Sequence, residues 1–317
     1  MEELVVVALG GNAFQSKGER GTIEDYMRNA SYAAKAVVHL IERGYRVVVT
    51  HGNGPQVGVL LEWMERGKDV APPMPMDVAN AMTQGWLGYI LMQAINNELC
   101  SRGLLDRVRG VVAIVTRVVV RGDDPAFQNP TKFVGPYYSE EEAKRLAQEK
   151  GWVMKPDPRG GWRRVVPSPM PIDVVEWRAV KQLADSGWIA IAVGGGGIPV
   201  VREGCSYRGV EAVIDKDLAS AVLATLLGAQ RLIIFTDVDY AYIDFGKPSA
   251  KPIKEMTIDE ARKLLEQGVF GEGSMAPKIR AAIYFVEHGG KEARIGHLRK
   301  AEEVIEGRSG TRIVPQR

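Results

Sequence analysis

The sequence predicts an α/β protein built on a largely parallel sheet, with a small subdomain protruding from it. Two observations carry this. Short β-branched runs alternate with long amphipathic segments along the chain, the rhythm of strands joined by crossover helices. That rhythm breaks over residues 121–170, which hold seven of the 17 prolines. Proline cannot donate to a sheet ladder, so this segment is kept out of the central sheet.

Leu4 to Leu9 (LVVVAL) is a buried strand by composition. Residues 25–43 follow as a helix, with Tyr26, Ala30, Ala33, Val37, Leu40 and Ile41 on one face and Gly44 as its left-handed stop. Arg46 to Thr50 is the second strand, and further strands are expected at 111–120, 189–193, 232–236 and 293–296. Helices are expected at 56–66, 77–102, 173–186, 217–227, 258–267 and 276–288. Ser139 with Glu142, and Thr257 with Glu260, have capping-box spacing before helical patterns. The proline-dense segment carries its own helix at 139–150 and a hairpin at 152–166. The apolar stripe Val78, Met82, Trp86, Tyr89 and Leu99 reads as core.

Composition narrows the function classes. Forty-one Lys and Arg against 39 Asp and Glu leave a net charge of +2, which offers no global field for nucleic acid or a membrane surface. The local cluster Arg159, Arg163 and Arg164 reads as a solvated hairpin rim. Cys100 and Cys205 lack metal or CxxC spacing and fit a reducing cytoplasm. No apolar run reaches the ~18 residues of a membrane helix. Glycine, at 35 residues, exceeds the roughly 22 that average usage gives.

That surplus gathers at strand ends. Gly10-Gly11-Asn12 follows the first strand, and His51-Gly52-Asn53-Gly54-Pro55 follows the second and leads into a helix. Such loops let backbone amides approach an oxyanion at a helix N-terminus. Gly194 to Gly197 follow a third strand. Lys216, between Asp215 and Asp217, opens one helix, and Lys278 lies in the first turn of another. A lysine there opposes the helix dipole, which makes sense when lysine and helix end face the same anion. Asp215 and Asp217 could orient Lys216, meet a magnesium ion, or simply cap the helix. The GxxxxGK[ST] and GxGxxG phosphate motifs are both missing.

The residues resemble the carbamate kinases, within the amino-acid kinase family. The matching segments, in order, are ALGGNA (8–13), THGNGPQVG (50–58), PMDVANAMTQGWLGY (75–89), DPAFQNPTKFVGP (124–136), GWRRVVPSP (161–169), AVGGGGIPV (192–200), EAVIDKDLA (211–219) and GSMAPK (273–278). The resemblance implies an open αβα sandwich over residues 1–317. A carbamate and carbamoyl-phosphate half would span 1–200, its protruding subdomain 121–170, and a nucleotide-binding half about 201–317. It implies reversible phosphoryl transfer between ATP and carbamate, Mg²⁺ carried with ATP or ADP, a homodimer, and a place in cytoplasmic arginine metabolism. Related acid kinases carry a lysine where this chain has Ala8; the resemblance implies that Lys132 stands in. With Lys216 and Lys278 it would neutralise the moving phosphoryl group, aided by Asp215 and Asp217. Gly10, Gly11, Asn12, Gly52, Asn53 and Gly54 would hold the substrate. Gly195, Gly196, Asp237, Val238, Tyr242, Phe270, Met275 and Ala276 would meet the nucleotide. Two other readings stay open: another acid or phosphate kinase of the superfamily, and a nucleotide-binding sensor without catalysis.

Overall fold

The first strand, Leu4–Leu9, is buried along its whole length, and its two faces belong to different cores. Leu4, Val6 and Ala8 join one apolar cluster; Val5, Val7 and Leu9 join the other. A run without polar alternation is what a central strand covered on both faces requires. The computed structural model describes residues 2–16, 18–157 and 160–316.

The central sheet has eight strands, ordered in space as Glu255–Thr257, Thr311–Val314, Glu292–His297, Arg231–Thr236, Leu4–Leu9, Arg46–His51, Trp188–Ile191 and Gly110–Ala113. Every neighbouring pair is parallel except Thr311–Val314 against Glu292–His297. One face is covered by helices Ile23–Glu42 and Met76–Ser101, whose Ala30, Ala33, Val37, Leu87, Leu91 and Ile95 are buried there. The other face carries helices Trp177–Asp185, Lys216–Leu227, Ile258–Glu266 and Met275–Glu287. The result is the open αβα sandwich that the resemblance implies.

Capping chemistry sets several of these ends. Both expected capping boxes form, at Ser139 and at Thr257. A third, Thr22 with Asp25, starts the first long helix two residues earlier than its apolar periodicity indicates. Gly151 and Gly228 end their helices in the left-handed conformation.

Three expectations need correction. The strand expected at 111–120 is two strands in different sheets, Gly110–Ala113 in the central one and Arg117–Val120 in a smaller one. The break is fixed from outside: Gln84 accepts from the Thr116 amide at 2.8 Å and donates to its carbonyl at 3.0 Å. That smaller sheet runs Ser206–Gly209, Ile198–Glu203, Arg117–Val120, Pro171–Val174. The helix expected at 173–186 is therefore shorter, because residues 171–174 are its strand. The rim reading of the arginine cluster also fails. Arg163 is mostly buried and pairs with Asp157 at 3.1 Å, and Arg164 pairs with Glu211 at 2.7 Å. Arg159 lies outside the described residues.

The proline-dense region stays out of the central sheet. Lys132–Tyr138, Trp162–Val166 and Val153–Pro156 form, in that spatial order, an antiparallel sheet of their own, with helix Glu140–Lys150 in the chain between Lys132–Tyr138 and Val153–Pro156. Lys132 is the first residue of this small sheet.

Candidate active site

The site is assembled at the carboxyl ends of the central parallel strands, where open α/β sheets leave a crevice for ligands. Strand Leu4–Leu9 delivers Gly10 and Gly11, and Arg46–His51 delivers Gly52, Asn53 and Gly54. The two loops touch: a Cβ placed on Gly52 would lie 3.9 Å from the Gly11 amide nitrogen, and one on Gly11 would lie 3.8 Å from Pro55. Gly10 adjoins the Phe235 carbonyl, at 3.4 Å by the same measure, so the strand leading to Asp237 and Val238 reaches the same place.

Lys216 opens its helix beside this junction. Its aliphatic stem lies against Gly52, where an added Cβ would be 3.0 Å from Lys216 Cδ. Its Nζ pairs with Asp217 Oδ1, and Lys278 Nζ donates to Asp217 Oδ2 at 2.9 Å. One almost fully buried carboxylate thus holds two lysines, both of them mostly buried. Burial pushes the Lys216 pKa below the ordinary lysine range, against the pull of Asp217. Burial alone would raise Asp217, but the two lysines outweigh it and hold the carboxyl at about 2. Asp215 is the helix cap, its Oδ1 accepting from the Asp217 and Leu218 amides at 2.9 and 3.1 Å. Its other oxygen lies 3.9 Å from Lys132 Nζ. The subdomain lysine therefore reaches the cluster, and three lysines against two aspartates leave one net positive charge.

Two helix N-termini at the site lack a side-chain cap. Asn53 makes no capping bond to helix Gly54–Arg66, and Ser274 makes none to helix Met275–Glu287, which carries Lys278. At the first of these the Gly54 and Gln56 amides are left without a cap, Pro55 having no N–H. At the second, Pro277 has no N–H and the Ala276 amide already donates to the Gly271 carbonyl at 3.0 Å, which leaves the Met275 amide.

Other expected contacts are placed differently. The Gly52 amide donates to the Leu9 carbonyl at 3.0 Å, so it holds the two loops together and does not face a ligand. The Asn53 amide points into the protein and donates to Asn80 Oδ1 and Thr83 Oγ1, each at 2.8 Å. Gly195 and Gly196, expected at the nucleotide, are buried beneath this layer. Gly195 presses on the Asn53 amide and Gly196 on the Ile214 carbonyl, two residues before Lys216. The Asn12 side chain lies outside the described residues. Farther along the crevice, Asp237 is exposed, while Val238, Tyr242 and Met275 are half-buried. Phe270 and Ala276 belong to the core, so the segment between them offers its exposed residues 271–274 and its backbone.

Sequence reading missed the wall behind Asn53. Asn80, Thr83 and Gln84 are buried on helix Met76–Ser101, and Gln84 Nε2 also donates to the Gly194 carbonyl at 3.0 Å. Polar residues three and four apart on an otherwise apolar helix face were the available signal. His51 is fully buried with Nδ1 donating to the Gly52 carbonyl at 2.9 Å, and burial lowers its pKa to about 4. It stays neutral at ordinary pH and shapes the loop. A cavity of about 520 Å³ between helix Gly54–Arg66 and the small sheet is lined by Leu61, Met76, Val134, Tyr138, Lys150 and Trp152, and not by Lys132, Lys216 or Lys278.

Comparison with known proteins agrees with this architecture. Residues 3–297 match the model of the amino acid kinase family. The chain is 50% identical to carbamate kinase of Pyrococcus horikoshii over 99% of its own length and 100% of that protein. It is 45% identical to carbamate kinase of Clostridium perfringens, covering 98% of this chain and 99% of that one. Among solved structures, carbamate kinase from Giardia lamblia bound to AMP-PNP superposes with a TM-score of 0.92 at 41% identity, covering 99% of each chain. The chain belongs to the amino acid kinase family and, within it, to the carbamate kinases.

Proposed function

We propose that this chain transfers a phosphoryl group reversibly between ATP and carbamate, giving ADP and carbamoyl phosphate, with Lys216 and Lys278 as the charge-stabilising groups. The observation that carries the assignment of roles is their convergence on Asp217 beside the two glycine loops. Carbamate is already an oxyanion, so its attack on the γ-phosphorus needs no general base. The reaction needs in-line placement and cancellation of charge on the moving group. Desolvated ammonium groups are effective at this because little solvent must reorganise around them. Asp217 orients both lysines, and Lys132 approaches from the subdomain side. Gly10, Gly11, Gly54 and the uncapped helix start at 54 would face the carbamoyl and phosphoryl oxygens.

The nucleotide half is assigned to about residues 201–317, with the base near Asp237, Val238 and Tyr242 and the phosphates near residues 271–278. The AMP-PNP bound to the Giardia enzyme supports a nucleotide in this fold. Among the described residues no group of three or more His, Cys, Asp or Glu side chains could hold a metal ion. Mg²⁺ would be held mainly through the nucleotide phosphates, where it would neutralise charge. We place the protein in the cytoplasm, in arginine metabolism, as a homodimer. The two unpaired cysteines support the first, and an exposed apolar helix face supports the last. No described helix is long and apolar enough to cross a membrane.

A coupled assay of ATP formation from ADP and carbamoyl phosphate tests the proposal. Lys216→Ala and Lys278→Ala should each lower kcat at least a hundredfold, about 2.7 kcal/mol or more of transition-state stabilisation. Lys132→Ala should lower it more than its half-buried place at the start of the small sheet suggests. Near-native turnover in both Lys216→Ala and Lys278→Ala would overturn the charge-stabilisation mechanism. Nucleotide binding without turnover in the unaltered protein would favour the sensor reading.

A further inference from the structure

Thr50 and Ser220 are fully buried hydroxyls in the layer between the central sheet and helix Lys216–Leu227. Around them Ala8, Val48, Ala219 and Val222 form apolar core. Valine and alanine would fill the same space, so packing alone does not call for two hydroxyl groups.

Their partners fix the direction of the hydrogen bonds. Ser220 Oγ donates to the Lys216 carbonyl at 2.5 Å. Its lone pairs must then accept, which makes Thr50 Oγ1, 2.6 Å away, the donor. The alternative acceptor for Thr50, the Val7 carbonyl, is at 3.4 Å. The chain therefore runs one way, from Thr50 to Ser220 to the main chain of Lys216.

We propose that Thr50 and Ser220 are positioning residues for phosphoryl transfer, tying the helix turn that carries Lys216 to the strand that carries the Gly52 loop. The proposal rests on the role given to Lys216 above. Thr50 lies two residues before Gly52, and the Lys216 stem already touches Gly52. The strand end and the helix start are thus joined twice, once through the lysine stem and once through its carbonyl. The second tie fixes the Lys216 Cα, which the flexible side chain cannot do for itself. A displacement of about 1 Å at a charge-stabilising group costs up to about a hundredfold in rate. A loosened turn should cost about tenfold.

The test compares Thr50→Val, Ser220→Ala, Thr50→Ser and Ser220→Thr in the same coupled assay, well below the melting temperature of each. Thr50→Val and Ser220→Ala should lower kcat about tenfold, with KM for ADP and carbamoyl phosphate within about twofold. Thr50→Ser and Ser220→Thr keep the hydroxyls and should restore most of the rate. Thr50→Val should add no further loss in a Lys216→Ala background, because its effect passes through that lysine. Unchanged kcat in Thr50→Val, with Lys216→Ala inactive, would overturn the positioning role and leave the lysine mechanism standing. An equal loss from Thr50→Val in both backgrounds would also overturn it. Retained turnover in Lys216→Ala would instead overturn the lysine role itself, and the positioning role with it.

Discussion

His51 shows how burial decides what a residue can do. Its ring is enclosed, Phe14 meets it edge-on at 5.4 Å, and Nε2 has no hydrogen-bond partner among the described residues. Burial disfavours the charged ring most, and nearby Lys216 adds to it against the Gly52 carbonyl's pull, so the folded pKa falls to about 4. The unfolded chain protonates near 6.5. Above pH 6.5 both states are neutral and the residue contributes no pH dependence. As pH falls from 6.5 to 4, the unfolded state binds the proton first and stability is lost, by about 3 kcal/mol at the lower end. Asp217 has the opposite history: its folded pKa is depressed to about 2, so its contribution holds above 3.8 and is lost only below that. The two windows barely overlap. Urea unfolding of the protein and of His51→Asn between pH 7 and 4.5 should show a steep acid loss in the former and a flatter one in the latter. Equal slopes would mean that His51 is not the group responsible. From sequence, His51 could be read as catalytic or structural, because burial is not visible in one dimension.

At the scale of elements, the glycine loops were legible and their division of labour was not. Strand-end glycines beside helix starts have a simple chemical reading, and Gly10, Gly11 and Gly54 do follow the two neighbouring central strands. Gly194 to Gly197 have the same appearance in sequence but serve packing. A Cβ on Gly195, which has φ +67°, would lie 2.3 Å from Asn53 Nδ2. Gly228 has nearly the same φ, +65°, with nothing within 4 Å. This pair separates backbone strain from close packing. Gly228→Ala should cost about 1–2 kcal/mol in stability and leave kinetics alone. Gly195→Ala carries that strain and also displaces Asn53, so it should cost 1–3 kcal/mol more and raise KM for carbamoyl phosphate severalfold. Thermal melts and steady-state kinetics of both check this; equal behaviour would mean that the Asn53 contact is unimportant. Helices were legible for a related reason. Their periodicity and caps are local, whereas the break at residues 114–116 depends on Gln84, about 30 residues away in the chain. Thr50 and Ser220 were invisible because a threonine in a strand and a serine in a helix are ordinary until their partners are known.

At the scale of the whole molecule, helix Met76–Ser101 has more apolar surface than one core can use. One side packs on the central sheet through Leu87, Ile90, Leu91 and Ile95. The stripe read from the sequence as core divides: Leu99 is fully buried and Trp86 packs against the core, whereas Met82 is 45% and Tyr89 55% exposed. Trp86 lies between them on the same face, stacked 6.1 Å from Trp63, which is itself 60% exposed. Single exposed apolar residues are normal on a protein surface, but Trp63, Met82 and Tyr89 around the half-buried Trp86 make this the face on which the proposed homodimer would associate. A helix face repeats itself when a second copy approaches about a two-fold axis, so a self-complementary dimer needs no other partner surface. The homodimer proposal is therefore specific about place. Sedimentation should give twice the 34.8 kDa chain mass for the unaltered protein. Tyr89→Glu should shift it toward the monomer while circular dichroism stays the same, because the altered side chain is outside the core. A charge buried without a partner at such an interface costs several kcal/mol, enough to separate a dimer of ordinary size at micromolar concentration. The lysine cluster is built from one chain's own elements, so the separated protomer should keep measurable turnover. An unaltered protein that sediments as a monomer, or a Tyr89→Glu variant that remains a dimer, would place the interface elsewhere.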